Sequence, residues 1–198
     1  MNETSQHEPV TTTDDEVRPL HDLCSLLEAR GIWYLVHGGW AAEYYLQRAR
    51  PHRDIDLASR SSERAKFLEC FPAADELRGR NKIKFVFQGV PTEVAFSDPP
   101  RGDIVTVHYK SRSLRVPQRM LVPVCVPIRG RVCPILPCAM LCLNMLVMNG
   151  GYAGMSEKYK TDFDGLMSTL PPAERDEVEQ LWRQPDRFLD RLARRLRR

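Results

Sequence analysis

The chain has 198 residues, of which 42% are hydrophobic and 28% charged. That is the make-up of an ordinary globular protein with one domain, or of a small domain carrying a helical appendage. No apolar run approaches the roughly 20 residues of a membrane span, and a net charge of +3 is too slight to imply nucleic acid by itself, although the last residues, 187–198, are rich in arginine.

The polar, acidic start, residues 1–13, reads as a disordered leader without the features of a secretory signal. Six cysteines without such a signal suggest reduced thiols and the cytoplasm as the compartment. Thr13 to Glu16 has the form of a capping box, and Leu20, Leu23, Cys24 and Leu27 recur at helical spacing up to Gly31, with Pro19 expected to limit how early that helix starts. Ile32 to Val36 is a short apolar strand that ends at His37-Gly38-Gly39, after which Trp40 to Gln47 reads as a helix. Asp54 to Ala58 alternates strictly, as a strand with one polar face does, and Ser61 or Ser62 can cap a helix reaching Cys70. Lys82 to Phe87 and Thr92 to Phe96 read as two strands joined by a tight turn at Gln88-Gly89-Val90-Pro91. Five prolines between Val116 and Pro137 exclude long helices and confine any strands there to short or edge positions. Helices are expected over 139–149, 157–170, 173–182 and 186–197. The fold class is therefore α/β (α+β): a mixed, twisted sheet flanked by helices, followed by a helical C-terminal region.

Asp54 and Asp56 stand two apart on a predicted strand, so both carboxylates leave the same face, roughly 6 to 7 Å apart along the backbone. Two like charges so close need a cation between or beside them. A pair of Mg²⁺ ions, with Mn²⁺ as a substitute, meets that need with hard oxygen ligands, and such a pair clamps the attacking and leaving oxygens of a displacement at phosphorus. An isolated D-x-D is more often a solvated turn; its weight here comes from Gly38 and Gly39, where missing side chains let backbone N–H groups approach a phosphate as a helix begins.

The combination His37-Gly38-Gly39-Trp40-Ala41-Ala42 followed by Arg50-Pro51-His52-Arg53-Asp54-Ile55-Asp56-Leu57 resembles the signature of the DNA polymerase β-like nucleotidyltransferase superfamily, most of all its small lincosamide and aminoglycoside nucleotidyltransferases. The resemblance covers about Ile32 to Phe96 and is weak beyond. It implies a nucleotidyltransferase fold divided into a catalytic domain (14–115), a Pro-rich connection (116–137) and a helical C-terminal region (138–198). It implies transfer of a nucleoside monophosphate, AMP as the first choice, from an NTP to a hydroxyl of a small molecule, with release of pyrophosphate. Asp54 and Asp56 then hold the metal ions. Glu93, in the position of the family's third carboxylate, is a further ligand or the base that accepts the acceptor's proton, with Asp98 and Asp103 as competitors. Gly38, Gly39 and Arg50 are implied to bind the nucleotide, as are Lys158 and Lys160, although a solvated helix face explains those two lysines equally well.

Asn144 stands where relatives often carry a lysine, which leaves open weaker catalysis, a different nucleotide pose or a lost activity. Two other readings stay in view: a toxin-type enzyme acting on tRNA or protein, for which the arginine-rich end is the feature to test, and a non-catalytic nucleotide-binding member of the superfamily. Cys125, Cys133, Cys138 and Cys142 lack zinc spacing and read as buried thiols. His37 reads as a core histidine, His52 and Arg53 either as cations that meet the β and γ phosphates or as part of a solvated basic loop, and Asp162 and Asp164 as a D-x-D whose side chains diverge on a helix.

Overall fold

The computed structural model describes residues 14–77, 81–109 and 112–184. The leader (1–13) and the arginine-rich last segment lie outside them. Six α-helices and nine strands follow in the order α1 (Asp14–Ala29), β1 (Tyr34–Val36), α2 (Gly38–Leu46), β2 (Ile55–Arg60), α3 (Arg64–Cys70), β3 (Asp75–Leu77), β4 (Lys82–Phe87), β5 (Val90–Ser97), β6 (Ile104–His108), β7 (Ser113–Pro117), β8 (Val124–Ile128), β9 (Arg131–Ile135), α4 (Cys138–Met148), α5 (Glu157–Thr169) and α6 (Pro172–Trp182), counted among the described residues.

Helix α1 buries Val17, Leu20, Leu23, Cys24 and Leu27, the stripe its 3.6-residue period dictates. Contrary to the expectation drawn from Pro19, the helix begins at Asp14 and runs through the proline. So close to the start, the ring costs the helix one backbone hydrogen bond without breaking its axis.

The sheet runs β3-β4-β5-β2-β1-β9-β8, with β6 paired to β5 and β7 to β6. It is mixed: β2 is antiparallel to β1 and parallel to β5, while β1 is parallel to β9. The alternation of β2 is preserved, with Ile55, Leu57 and Ser59 buried and Asp56 and Ala58 half-buried on the opposite face. β5 repeats the pattern, burying Thr92, Val94 and Phe96 and turning Glu93 and Ala95 to the face that carries Asp56.

The Pro-rich stretch supplies three strands, β7 ending in it and β8 and β9 lying within it, so it builds the far side of the sheet as well as linking the halves. Prolines are accepted because they fall where a ladder N–H is dispensable: at the end of β7, on the edge strand β8, and in β9 at Pro134 opposite Cys125. Beyond it, α4 is buried along nearly its whole length, from Cys138 to Val147, and packs against α2, α5 and α6. Of the four cysteines clustered in sequence, Cys133, Cys138 and Cys142 are core side chains and Cys125 is exposed. No helix among the described residues is long and apolar enough to cross a membrane.

Candidate active site

Strand β1 ends in the Gly pair that opens α2, and β2 lies beside it, with the backbone N–H of His37 donating to the Asp56 carbonyl at 2.9 Å. Gly38 has φ +62°, and a Cβ built there would lie 2.2 Å from Asp56 Oδ2. Only glycine leaves the space that the carboxylate fills, and only glycine takes this backbone conformation without strain. Gly39 is equally confined, because a Cβ there would sit 2.7 Å from His52 Nδ1.

Asp54 is exposed immediately before β2, its carbonyl accepting from Trp40 Nε1 at 3.2 Å. Asp56 is half-buried, and burial pushes its carboxyl above the ordinary range; His37 opposes the rise, and the like charges of Asp54 and Glu93 add to it. Glu93 stands directly beside Asp56 in the parallel β2–β5 register, about 4.8 Å away across the strands. It is not a free carboxylate: Lys82 and Lys84, the latter at 2.9 Å, both bind it. Burial alone would raise Glu93; the hydrogen bonds and charges of the two lysines outweigh it and hold the group below its usual value. Asp98 pairs with His108 at 3.0 Å, and neither Asp98 nor the exposed Asp103 faces Asp56.

Two cavities meet at Gly38 and Asp56. One is a polar cleft of about 800 Å³ whose charged lining is Arg48, Arg50, Arg53 and Lys158 with Asp54, Asp56 and Asp162. The other is a chamber of about 330 Å³ lined mainly by apolar side chains of β5, β6 and α4, with His37, Lys82, Glu93, Tyr109 and Asn144 among its polar groups. His37 is thus half-buried at a cavity wall and not a core histidine, because the chain turns from strand into helix there and exposes it. Asn144 lines the chamber and not the cleft, accepting a hydrogen bond from the Tyr109 hydroxyl. Lys158 lines the cleft, whereas Lys160 lines neither cavity and pairs with Glu157 at 2.7 Å.

Arg50 binds Asp162 at 2.5 Å and donates to the Gly39 carbonyl at 3.3 Å, while Arg48 binds the other Asp162 oxygen at 2.7 Å. Asp162 is 2% exposed, so α5 delivers a buried anion into the basic loop. Its neighbour Asp164 points elsewhere and accepts from the Tyr152 hydroxyl at 2.8 Å. A second network fixes the rest of that loop. Arg129, at the β8–β9 turn, grips Glu43 with two hydrogen bonds of 2.9 and 2.8 Å and also pairs with Glu16 at 3.2 Å. His52 donates to Glu43 at 2.8 Å and stacks on Trp40 with ring centroids 3.8 Å apart. His52 is therefore a held, half-buried side chain and not a solvated one.

Sequence reasoning missed Glu43, Arg129 and the role of Asp162. Asp162 carried a signal: it lies four residues before Leu166 and so falls on the apolar face of α5, where an acid needs a partner. Arg129 had none, because a lone arginine in a turn has no pattern.

The same fold occurs in solved structures. The chain matches the solution structure of the antibiotic-resistance factor ANT(2'')-Ia with a TM-score of 0.70 at 14% identity, over 93% of this chain and 98% of that one. It also matches ANT(2'')-Ia in complex with adenylyl-2''-tobramycin, at 0.67 and 15% identity over 85% and 97% of the two chains. The chain has the nucleotidyltransferase fold. A further match to that fold is the lincosamide antibiotic adenylyltransferase LnuA in its lincomycin-bound form, with a TM-score of 0.60 at 13% identity over 77% of this chain and 97% of that one. The family model for aminoglycoside-2''-adenylyltransferase matches residues 19–90, a stretch that holds Gly38, Gly39, Asp54 and Asp56 and stops short of Glu93. A comparison with the curated proteins found no match. The resemblance read from the motifs and the fold class expected from the element pattern both agree with these findings.

Proposed function

We propose that the chain is a metal-dependent nucleotidyltransferase that moves AMP from ATP to a hydroxyl of a small molecule, releasing pyrophosphate. One observation carries the reading: the Asp56 carboxylate fills the space of a Gly38 side chain, which sets an acid against the backbone N–H groups that open α2. Neither a turn nor a core explains that contact, whereas a site joining a phosphate to a carboxylate-held cation does.

The donors suit magnesium in the form it usually takes, with one or two carboxylates and the remaining positions filled by water and substrate phosphates. Asp54 and Asp56 supply those carboxylates. Among the described residues no three His, Cys, Asp or Glu side chains form a ready cage. When bound, the metal adds positive charge at the reacting phosphorus and eases ionisation of the acceptor hydroxyl.

The acceptor oxygen forms a bond to the α-phosphorus, the bond to the pyrophosphate oxygen breaks, and the hydroxyl proton leaves to a base or to water. Gly38 and Gly39 offer backbone N–H groups to the phosphates. Arg53 and Lys158 face them across the cleft, and Arg50, clamped by Asp162, holds the turn at Gly39. Glu93, kept ionised by Lys82 and Lys84, is a weak base and a firm anion, so of its two roles that of a further metal ligand is favoured over that of the base. Residues 14–115 then provide the carboxylates and 138–184 the opposite wall. The cytoplasm is the proposed compartment, consistent with the free buried thiols Cys24, Cys133, Cys138 and Cys142.

The test is Mg²⁺-dependent pyrophosphate release from ATP over a panel of hydroxylated compounds and RNA, comparing the wild type with the Asp54→Asn/Asp56→Asn double variant. Loss of at least about a thousandfold in turnover is expected, together with weaker Mn²⁺ binding and an undiminished Tm, because a pair of repelling charges is removed. Equal release from both proteins overturns the reading.

A further inference from the structure

Resting on that reading, the geometry points to the class of acceptor: we infer that the chamber beside Asp56 takes a compact, uncharged and largely apolar alcohol, held at its oxygen end by Asn144, and not a polycation.

The chamber is of ligand size, at about 330 Å³. Its walls include Phe96, Val107, Leu121, Met140, Met145 and Met148, so an apolar body gains the full benefit of leaving water, and the methionines adapt to its shape. Among the described residues its carboxylates are Asp56 and Glu93, both at the end nearest Gly38. Asp56 belongs to the metal in the proposed reaction, and Glu93 is already neutralised by Lys82 and Lys84. Lys82 itself lines the chamber and repels an incoming ammonium group. An acceptor with several positive charges would lose the hydration of each one here without gaining a free anionic partner.

Asn144 gives the chamber its polar handle. Its Oδ1 accepts from the Tyr109 hydroxyl, which fixes the amide orientation and leaves the Nδ2 group with no hydrogen-bond partner among the described residues. Two N–H donors are thereby available to an ether, carbonyl or second hydroxyl oxygen. A lysine at this position would bring a second cation to a chamber that Lys82 already lines, whereas asparagine adds no charge, so Asn144 belongs to acceptor recognition and not to the phosphates, whose cleft it does not line.

The experiment is calorimetric titration of the full chain with 3-phenylpropan-1-ol and with spermine, in the absence of nucleotide, for the wild type, Val107→Trp and Asn144→Asp. Mg·ATP binding is measured separately for each protein. The alcohol is expected to bind at least tenfold more tightly than spermine. Val107→Trp fills the chamber and should weaken the alcohol at least tenfold while Mg·ATP binding stays within twofold. Asn144→Asp keeps the Tyr109 bond, adds a charge, and should weaken the alcohol and strengthen spermine; it serves alone should Val107→Trp not fold. Spermine binding as tightly as the alcohol in the wild type, or alcohol binding unchanged in both variants, overturns the inference. Because these titrations contain no nucleotide, they fail independently of the Asp54/Asp56 test, which bears on the reaction alone.

Discussion

The polar cleft and the apolar chamber share Gly38 and Asp56, yet they are held open by different means. The cleft is shaped by ions: Asp162 spans two arginines, and Arg129 and Glu43 tie together α1, α2 and the β8–β9 turn. The chamber is shaped mainly by packing of β5, β6 and α4, with the Lys82–Glu93 pair at the end near Asp56 and the Tyr109–Asn144 hydrogen bond in its wall. Charge networks fix direction and a few contact points, as recognition of a phosphate chain requires, whereas packed apolar walls fix volume. On the proposed reading, the difference lets nucleotide and acceptor recognition be perturbed separately, and five substitutions put that to work.

Gly38→Ala strikes the wall common to both. A Cβ at 2.2 Å from Asp56 Oδ2 and a backbone at φ +62° together should lower turnover about a hundredfold, from displacement of a reacting group by about 1 Å. Denaturant unfolding should register a further loss of about 1 to 2 kcal/mol for the strained residue. Wild-type rates in this variant would mean that the glycine is dispensable and the two cavities are not joined through it.

Asp162→Asn acts on the cleft alone. Removing the buried anion leaves Arg50, only 17% exposed in its side chain, without its partner, and stability should fall by about 3 kcal/mol. The KM for ATP should rise, while binding of a neutral alcohol in the chamber stays as it was.

Glu43 offers a test by pH. Burial raises its carboxyl, but the hydrogen bonds from Arg129 and His52 prevail and hold it below the ordinary value of 4.5. A carboxylate depressed on folding contributes stability that is fully present above its unfolded value and lost as pH falls through the folded one. Between pH 5 and pH 3 the wild type should therefore lose stability more steeply than Glu43→Gln, which should itself be weaker by about 2 kcal/mol at neutral pH for want of a charge-assisted pair. Parallel curves would remove Glu43 from the network.

The smallest effect separates two lysines. Lys158→Ala should raise the KM for ATP a few-fold, as loss of one phosphate-facing cation does. Lys160→Ala should leave it unchanged, because that side chain pairs with Glu157 outside both cavities.

Much of the cleft was legible in the sequence because local pattern carries it. A strand ending in two glycines, a helix, then alternation around Asp56 needs no knowledge of the rest of the chain, and the hairpin that brings in Glu93 announces itself by its turn. The chamber was illegible for the converse reason. Its wall is assembled from β5, β6 and α4, and the pattern along any one of these segments does not say which others it faces across a cavity. Asn144 was read as a substitution on the phosphate side, since sequence gives a helical position and not the cavity that the helix faces. Asp162 was set aside because its i+2 neighbour diverges, which is true of Asp164 and irrelevant to Arg48 and Arg50, more than a hundred residues away in the chain.

The parallel pairing of β9 with β1, through Val36 and Ile135, bears on how such chains can be recombined. The strand that launches the glycine pair has one flank completed by residues from far downstream, so a graft that exchanges acceptor specificity by swapping C-terminal segments should carry its junction after β9, near Leu136. A junction at the start of the Pro-rich stretch would separate β1 from the neighbour that aligns it, and the recipient would inherit new helices at the expense of the Gly38-Gly39 turn.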